Sequence, residues 1–390
     1  MQVIEVADKA TVKDFLRVNI LMNQNNPYYI RPLDNDINEI FDPLKNKYYQ
    51  YGEAKRWIAI DDNGSLLGRI AAFTNSKYIN KGTEFKTGSI GFFDSIDDQA
   101  LANTLFDTAK AWLESKGMEA MDGPINFGDR DKWWGLMVEG FESEPMYGMP
   151  FNPSYYETLF SNYGFKNYYN QYYFTMSVDD PFPPRFSERH AKFKAKSGYE
   201  AKHMKLSELQ KCANDFATVY NAAWAQHDEE KEISEEQVLK LFNKMKPILD
   251  ERTIWFAYYL KEPIAMFINI PDMNQYFKYF NGKFGWFEKL RLWWMKQMGY
   301  NKRLTGVAFG VVPKYQALGV DSFMIYECGL LLQGKGWYTQ YEMGWTGDWN
   351  PRMINIYKSL GGRQSRVMVT YRYLFDQNHP FERHPLMEYK

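Results

Sequence analysis

Residues 305–327 read TGVAFGVVPKYQALGVDSFMIYE. A β-leaning run closes at Val311-Val312-Pro313, a short loop Lys314–Gly319 follows, and an apolar helix starts at once and runs from Val320 to Leu332. A loop of this kind turns successive backbone N–H groups and the positive end of a helix toward one point, which suits a pyrophosphate. Glycine at 319 removes a Cβ that would block close approach. Asp321 places a carboxylate in the first helical turn, which favours an empty helix start and repels a diphosphate.

Working outward, Leu304–Val312 and Tyr338–Trp345 read as strands and Met353–Leu360 as a helix. Upstream, Ile254–Leu260 and Ile264–Ile270 flank Lys261-Glu262-Pro263 as a hairpin, and Ser234–Gln237 is a capping-box start. The first 180 residues carry a similar order. A strand at Val3–Val6 precedes a helix opened at Thr11–Asp14, and Trp57–Ile60 and Leu66–Phe73 form a hairpin. Gly91–Phe93 closes a further strand, and a helix runs from Asp97-Asp98 to a stop at Gly117. Residues 118–151, rich in Gly, Pro and Trp, read as a long shaped loop. Trp57-Ile-Ala-Ile matches Trp255-Phe-Ala-Tyr, and Asn152-Pro153 before Gly164 matches Asn350-Pro351 before Gly361-Gly362, all in the same order. A duplication accounts for this. The Pro-rich Asp179–Pro184 is the expected boundary, dividing the chain into 1–180 and 181–390.

The 47 basic and 48 acidic residues create no global field for nucleic acid, and nucleic-acid partners are not expected. Two cysteines and five scattered histidines offer neither a disulfide framework nor a metal spacing. The N-terminus lacks a signal-peptide pattern and no window reaches about 18 apolar residues, so a cytoplasmic protein is expected.

The 305–327 stretch resembles the acyl-CoA N-acyltransferase superfamily, whose pyrophosphate loop reads Q/R-x-x-G-x-G/A after the fourth strand. Gln316, Gly319 and the lead-in Val311–Pro313 match it, and Asp321 stands where the family has Gly or Ala. A second family element, N-x-x-A-x-x-x-Y, is matched by Asn350 and Tyr357, with Met353 in place of Ala. The whole chain is similar to bacterial tandem GNAT-like proteins. The resemblance implies an α/β (α+β) fold of two such domains, with mixed sheets flanked by helices. It implies a degenerate first domain, 1–180, and a second, 181–390, that binds acetyl-CoA or a longer acyl-CoA through Val311, Val312, Lys314, Gln316, Ala317, Gly319, Val320 and Asn350. It also implies an N-acyltransferase acting on a small-molecule or lipid-like amine. Backbone N–H groups near Val311 and Val312 would hold the oxyanion and Tyr357 would return a proton to the thiolate. Glu342 is the candidate base, with a paired carboxylate as its plainer reading.

Two other functions fit the same fold. One is a non-catalytic binding protein, for which Asp321 speaks; the other is an aminoacyl-tRNA-dependent transferase of the peptidoglycan-bridge type, which calls for a basic groove. Residues 284–303, FGWFEKLRLWWMKQMGYNKR, alternate aromatic and basic side chains. A helix packed in the core is the favoured reading, ahead of a segment lying on a membrane surface.

Overall fold

The computed structural model describes residues 1–78, 85–224 and 232–386. The first half runs β1 (Gln2–Glu5), α1 (Lys9–Asn23), α2 (Asp34–Ile40), β2 (Gly52–Ile60), β3 (Leu66–Asn75), β4 (Thr87–Ser95), α3 (Gln99–Ser115), β5 (Ala120–Gly123), β6 (Leu136–Glu139), α4 (Tyr156–Tyr163) and β7 (Lys166–Ser177). After the linking helix α5 (Pro184–Lys194), the second half runs β8 (Tyr199–His203), α6 (Leu209–Trp224), α7 (Glu235–Met245), β9 (Ile254–Tyr259), β10 (Glu262–Pro271), α8 (Asn274–Phe277) and α9 (Trp286–Gln297). It continues with β11 (Arg303–Val311), α10 (Val320–Leu332), β12 (Gln340–Gly347), α11 (Pro351–Ser359) and β13 (Arg363–Leu374). Setting aside α5, β6 and the α8–α9 insertion, the second series repeats the first element for element. The duplication expected from sequence is thus a duplication of topology.

Local chemistry accounts for many boundaries. Ser234 accepts the Gln237 N–H while the Gln237 side chain accepts the Ser234 N–H, and α7 starts there. The β9–β10 hairpin turns on Leu260 and Lys261, both with positive φ, the twist a two-residue hairpin demands. At α1 the cap is Asp8 rather than Thr11: Asp8 accepts the Thr11 N–H at 2.8 Å, and Thr11 reciprocates from the third helical position. Residues 118–151 are not all loop, for they carry β5 and β6.

Among the described residues all thirteen strands join one sheet, ordered β1-β2-β3-β4-β5-β13-β7-β12-β11-β10-β9-β8, with β6 pairing β13 off this path. The two halves exchange strands at its centre. β13 of the second half pairs β5 of the first, with Tyr371 opposite Gly123, and β7 of the first half pairs β12 of the second, with Met343 opposite Phe174. Each core therefore contains the other half's residues: Val367, Val369 and Tyr371 lie in the first, Phe174 and Met176 in the second. Buried ion pairs pin the same region, Arg372 to Asp122 at 2.6 Å and Arg366 to Glu342 at 3.1 Å.

In each half, one pair of adjacent strands is parallel for only three residues before diverging. β11 pairs β12 from Arg303–Gln340 to Thr305–Glu342, and β4 pairs β5 from Thr87–Ala120 to Ser89–Asp122. Beyond those pairs a crevice opens.

The aromatic helix α9 departs from the expectation of core packing. Leu292 and Met295 are buried against Leu33, Met273 and Phe280, whereas Trp286 (77% exposed), Phe287, Leu290, Trp293, Trp294 and Met298 face outward. A pattern of apolar residues on both sides of a helix does not say which side the core takes.

Candidate functional site

The second-half crevice is built by β11 and β12, and the backbone decides its chemistry. Opposite β10, Val311 pairs with Ala265, while the Val312 N–H donates to the Ile264 carbonyl at 2.9 Å. Antiparallel ladders alternate, so the N–H groups of Phe309 and Val311 turn away from β10 toward β12. Of the two expected oxyanion donors, Val311 faces the crevice and Val312 is spent on the sheet.

Gly306 and Gly344 face each other just past the last parallel pair. A Cβ on Gly344 would stand 2.9 Å from the Gly306 carbonyl oxygen and 3.8 Å from the Tyr357 hydroxyl, and a Cβ on Gly306 would stand 2.8 Å from the Tyr341 hydroxyl. The two strands thus approach at a point where only glycine fits, and both phenols lie beside it. Tyr357, 9% exposed, packs on Phe174 at 5.4 Å between ring centroids. Neither hydroxyl has a hydrogen-bond partner among the described residues, and burial pushes the Tyr357 phenol well above its ordinary pKa.

At the far end of β11 the loop tightens into a 3-10 turn, Pro313–Tyr315, and Ala317 and Gly319 take positive φ, 59° and 96°. Gly319 is the N-cap of α10, with no side chain closing the helix end. No side-chain cap accepts from the N–H groups of its first turn, and the Arg189 side chain lies against the helix start, where a Cβ on Gly319 would stand 3.0 Å from Arg189 Cδ. The first half differs at the matching place. There Asp98 accepts from the Ala100 and Leu101 N–H groups and closes α3 by itself.

Beside the first turns of α10 lies a cleft of ≈ 600 Å³ between α10, α11 and α5, to which α10 contributes Asp321, Ser322 and Ile325. Arg185, Arg189 and Arg352 line it together with Asp321 and Ser322. The Arg189 guanidinium donates to Ser322 Oγ at 2.9 Å, and Arg352 donates to Gln316 Oε1 at 3.0 Å while Gln316 Nε2 donates to the Val311 carbonyl. Gln316 thereby ties the loop to α11. With three guanidinium groups beside one carboxylate, the cleft is cationic despite Asp321. Sequence reading missed all three arginines. Arg185 and Arg189, four apart on α5, share a helix face, and the basic run Arg185–Lys196 was the available signal.

Other expected residues stand elsewhere in role. Asn350 is the N-cap of α11, accepting the Met353 N–H at 3.0 Å. Lys314 is exposed, its ammonium over the Tyr315 ring. Both Glu342 oxygens are engaged, one by Gln340 at 2.7 Å and the other by Arg366 at 3.1 Å and Ser365 at 3.3 Å.

The first-half crevice is nearly filled. Asp94, buried on β4, pairs with Arg69 at 2.7 Å and accepts from Asn19 and Tyr156, leaving a cavity of ≈ 70 Å³.

No family model matches the chain. A tandem GNAT protein from the clavulanic acid biosynthesis pathway superposes with a TM-score of 0.55 at 10% identity, covering 98% of this chain and 99% of that one. The fold is that of a tandem GNAT protein. A GCN5-related N-acetyltransferase from Sphaerobacter thermophilus agrees, with a TM-score of 0.51 at 10% identity over 99% of this chain and 98% of its own. Among curated proteins, the bacterial ceramide synthase of Caulobacter vibrioides (strain NA1000 / CB15N) is 25% identical over 95% of this chain and 97% of its own length. Protein YghO of Escherichia coli (strain K12) is 24% identical over 91% of this chain and 90% of its own.

Proposed function

We propose that the protein is an N-acyltransferase that moves an acyl group from acyl-CoA to the amine of a lipid-like acceptor, with CoA held by the second half, 181–390. The first half, 1–180, is read as a degenerate partner without a cofactor site. The carrying observation is that the start of α10, which has no side-chain cap, lies beside an arginine-lined cleft. Backbone N–H groups of the α10 first turn, with Arg189 and Arg352, suit a diphosphate. The lipid-like acceptor rests on the likeness to a bacterial ceramide synthase over nearly the whole chain, since ceramide is itself a lipid amide.

In this reading the crevice between β11 and β12 takes the thioester arm. The Val311 N–H, turned away from β10, is taken as the donor to a carbonyl oxygen that gathers charge. Tyr357, held protonated by burial, is placed to pass its proton toward the leaving sulfur. Glu342, bound to Arg366, ties β12 to β13 across β7. The amine is taken to arrive neutral.

Thermal melting and calorimetry test this. CoA at 100 times its dissociation constant should stabilise the fold by about 2.7 kcal/mol, with one CoA per chain. Asp321 in the same cleft is the observation that favours a non-catalytic binding protein. A melting curve unmoved by millimolar CoA selects that second reading.

A further inference from the structure

Helix α9 presents an apolar surface that the acyl-CoA reading does not use. Among the described residues no helix is long and apolar enough to cross a membrane, yet α9 leaves Trp286, Phe287, Leu290, Trp293, Trp294 and Met298 each at least 48% exposed. At 100° per residue these six span an arc of about 140°, and the buried Leu292 and Met295 lie on the opposite side. Lys289 and Lys296 flank one edge of the arc and Arg291 the other.

Charge distinguishes the possible occupants. Residues 278–303 hold seven Lys and Arg against the single acid Glu288. Arg303 is ion-paired to Asp272 and Lys278 to Glu144. The side chains of Arg291 and Lys302 donate to backbone carbonyls, which leave their charge uncompensated, while the half-buried Lys296 donates to the Pro247 carbonyl and feels Asp250. A second copy of this chain seated here about a two-fold axis would set these cations against themselves. An anionic surface would complement them. Tryptophans on an exposed helix flanked by Lys and Arg suit the headgroup layer, where indoles sit at the boundary and long cationic side chains reach outward.

We propose that α9 seats the protein on the surface of an anionic lipid bilayer, lying in its plane with the Trp286–Met298 arc inserted. The docking face is separate from the CoA cleft. β11 lies between the end of the α9 segment and the pyrophosphate loop, a span of about 30 Å at 3.3 Å per residue.

Sedimentation of the full chain with vesicles of phosphatidylcholine, with and without phosphatidylglycerol, tests the proposal. Binding is expected to the anionic vesicles and to weaken with salt. The double variant Trp286→Ser/Trp293→Ser should lose binding about tenfold or more, and Lys289→Gln about fivefold. All three side chains are exposed, so the melting temperature and any CoA-induced shift should be unchanged, which keeps this test apart from that of the acyltransferase reading. The proposal is overturned if the wild type ignores anionic vesicles or the double variant binds as well as the wild type. A concentration-dependent dimer that the double variant abolishes would also overturn it, assigning the face to a second copy.

Discussion

In the proposed reading Tyr357 holds a proton until a thiolate needs it, and its surroundings suit that task. Its hydroxyl lies beside the close approach of Gly306 and Gly344, with no hydrogen-bond partner among the described residues to spend the proton on. Desolvation raises its pKa, so the phenol stays protonated through the range in which an ordinary tyrosine ionises. Tyr357→Phe should therefore lower kcat by about 10²- to 10⁴-fold while leaving KM for acyl-CoA nearly unchanged, because the hydroxyl acts on charge that appears only in the transition state. The ring packing on Phe174 survives in the variant. If kcat is unchanged and the melting temperature falls, the hydroxyl is structural. Glu342 illustrates the opposite case: a carboxylate on the right strand, chosen from sequence by position, whose oxygens are already engaged by Arg366, Ser365 and Gln340.

At the scale of elements, the start of α10 separates the two halves chemically. Asp98 closes α3 with its own carboxylate, whereas Gly319 leaves α10 open. Replacing Arg189 and Arg352 with Gln should weaken CoA by roughly 1.5–3 kcal/mol for each charge-assisted hydrogen bond removed. Without CoA the variant should lose only what the bonds to Ser322 and Gln316 contribute, roughly 0.5–1.5 kcal/mol each. Unchanged CoA affinity in the double variant would place the diphosphate elsewhere. Gly319→Ala should cost about 1–2 kcal/mol in stability from φ alone, so it is a poorer probe of binding than the arginines.

Much at this scale was legible. Val320–Leu332 and the Ser234–Gln237 start fall where sequence placed them, because a cap or a loop glycine acts over a few residues. The α1 start was misplaced by one turn because Asp8 and Thr11 cap reciprocally, and either order of an acidic residue and a threonine can be written as a start. The arginines of the cleft were not legible, since they and the acid beside them come from three helices that meet only in the folded chain.

The least legible feature belongs to the whole molecule. Strand exchange between β7 and β13 brings together residues about 200 positions apart, and nothing local in Asn170 or Val369 announces that they pair. Yet this exchange governs whether 1–180 and 181–390 can stand as domains. The first core includes Val367, Val369 and Tyr371, all at most 5% exposed. Burying each Val or comparable side chain contributes about 1.5–3 kcal/mol, so losing three removes an amount similar to the 5–15 kcal/mol that typically holds a domain together. Without β13, Asp122 also loses its bidentate partner Arg372 and remains buried as an uncompensated charge, costing roughly a further 3–5 kcal/mol. Fragment 1–180 made alone should accordingly show no cooperative melt, and fragment 181–390, deprived of Phe174 and Met176, should behave likewise. Produced together, the two fragments should associate and melt in one transition, with CoA shifting it as in the intact chain. A sharp, concentration-independent melt of 1–180 by itself would show that β5 needs no neighbour, and the exchanged strands would then be an ornament on two independent folds rather than their shared core.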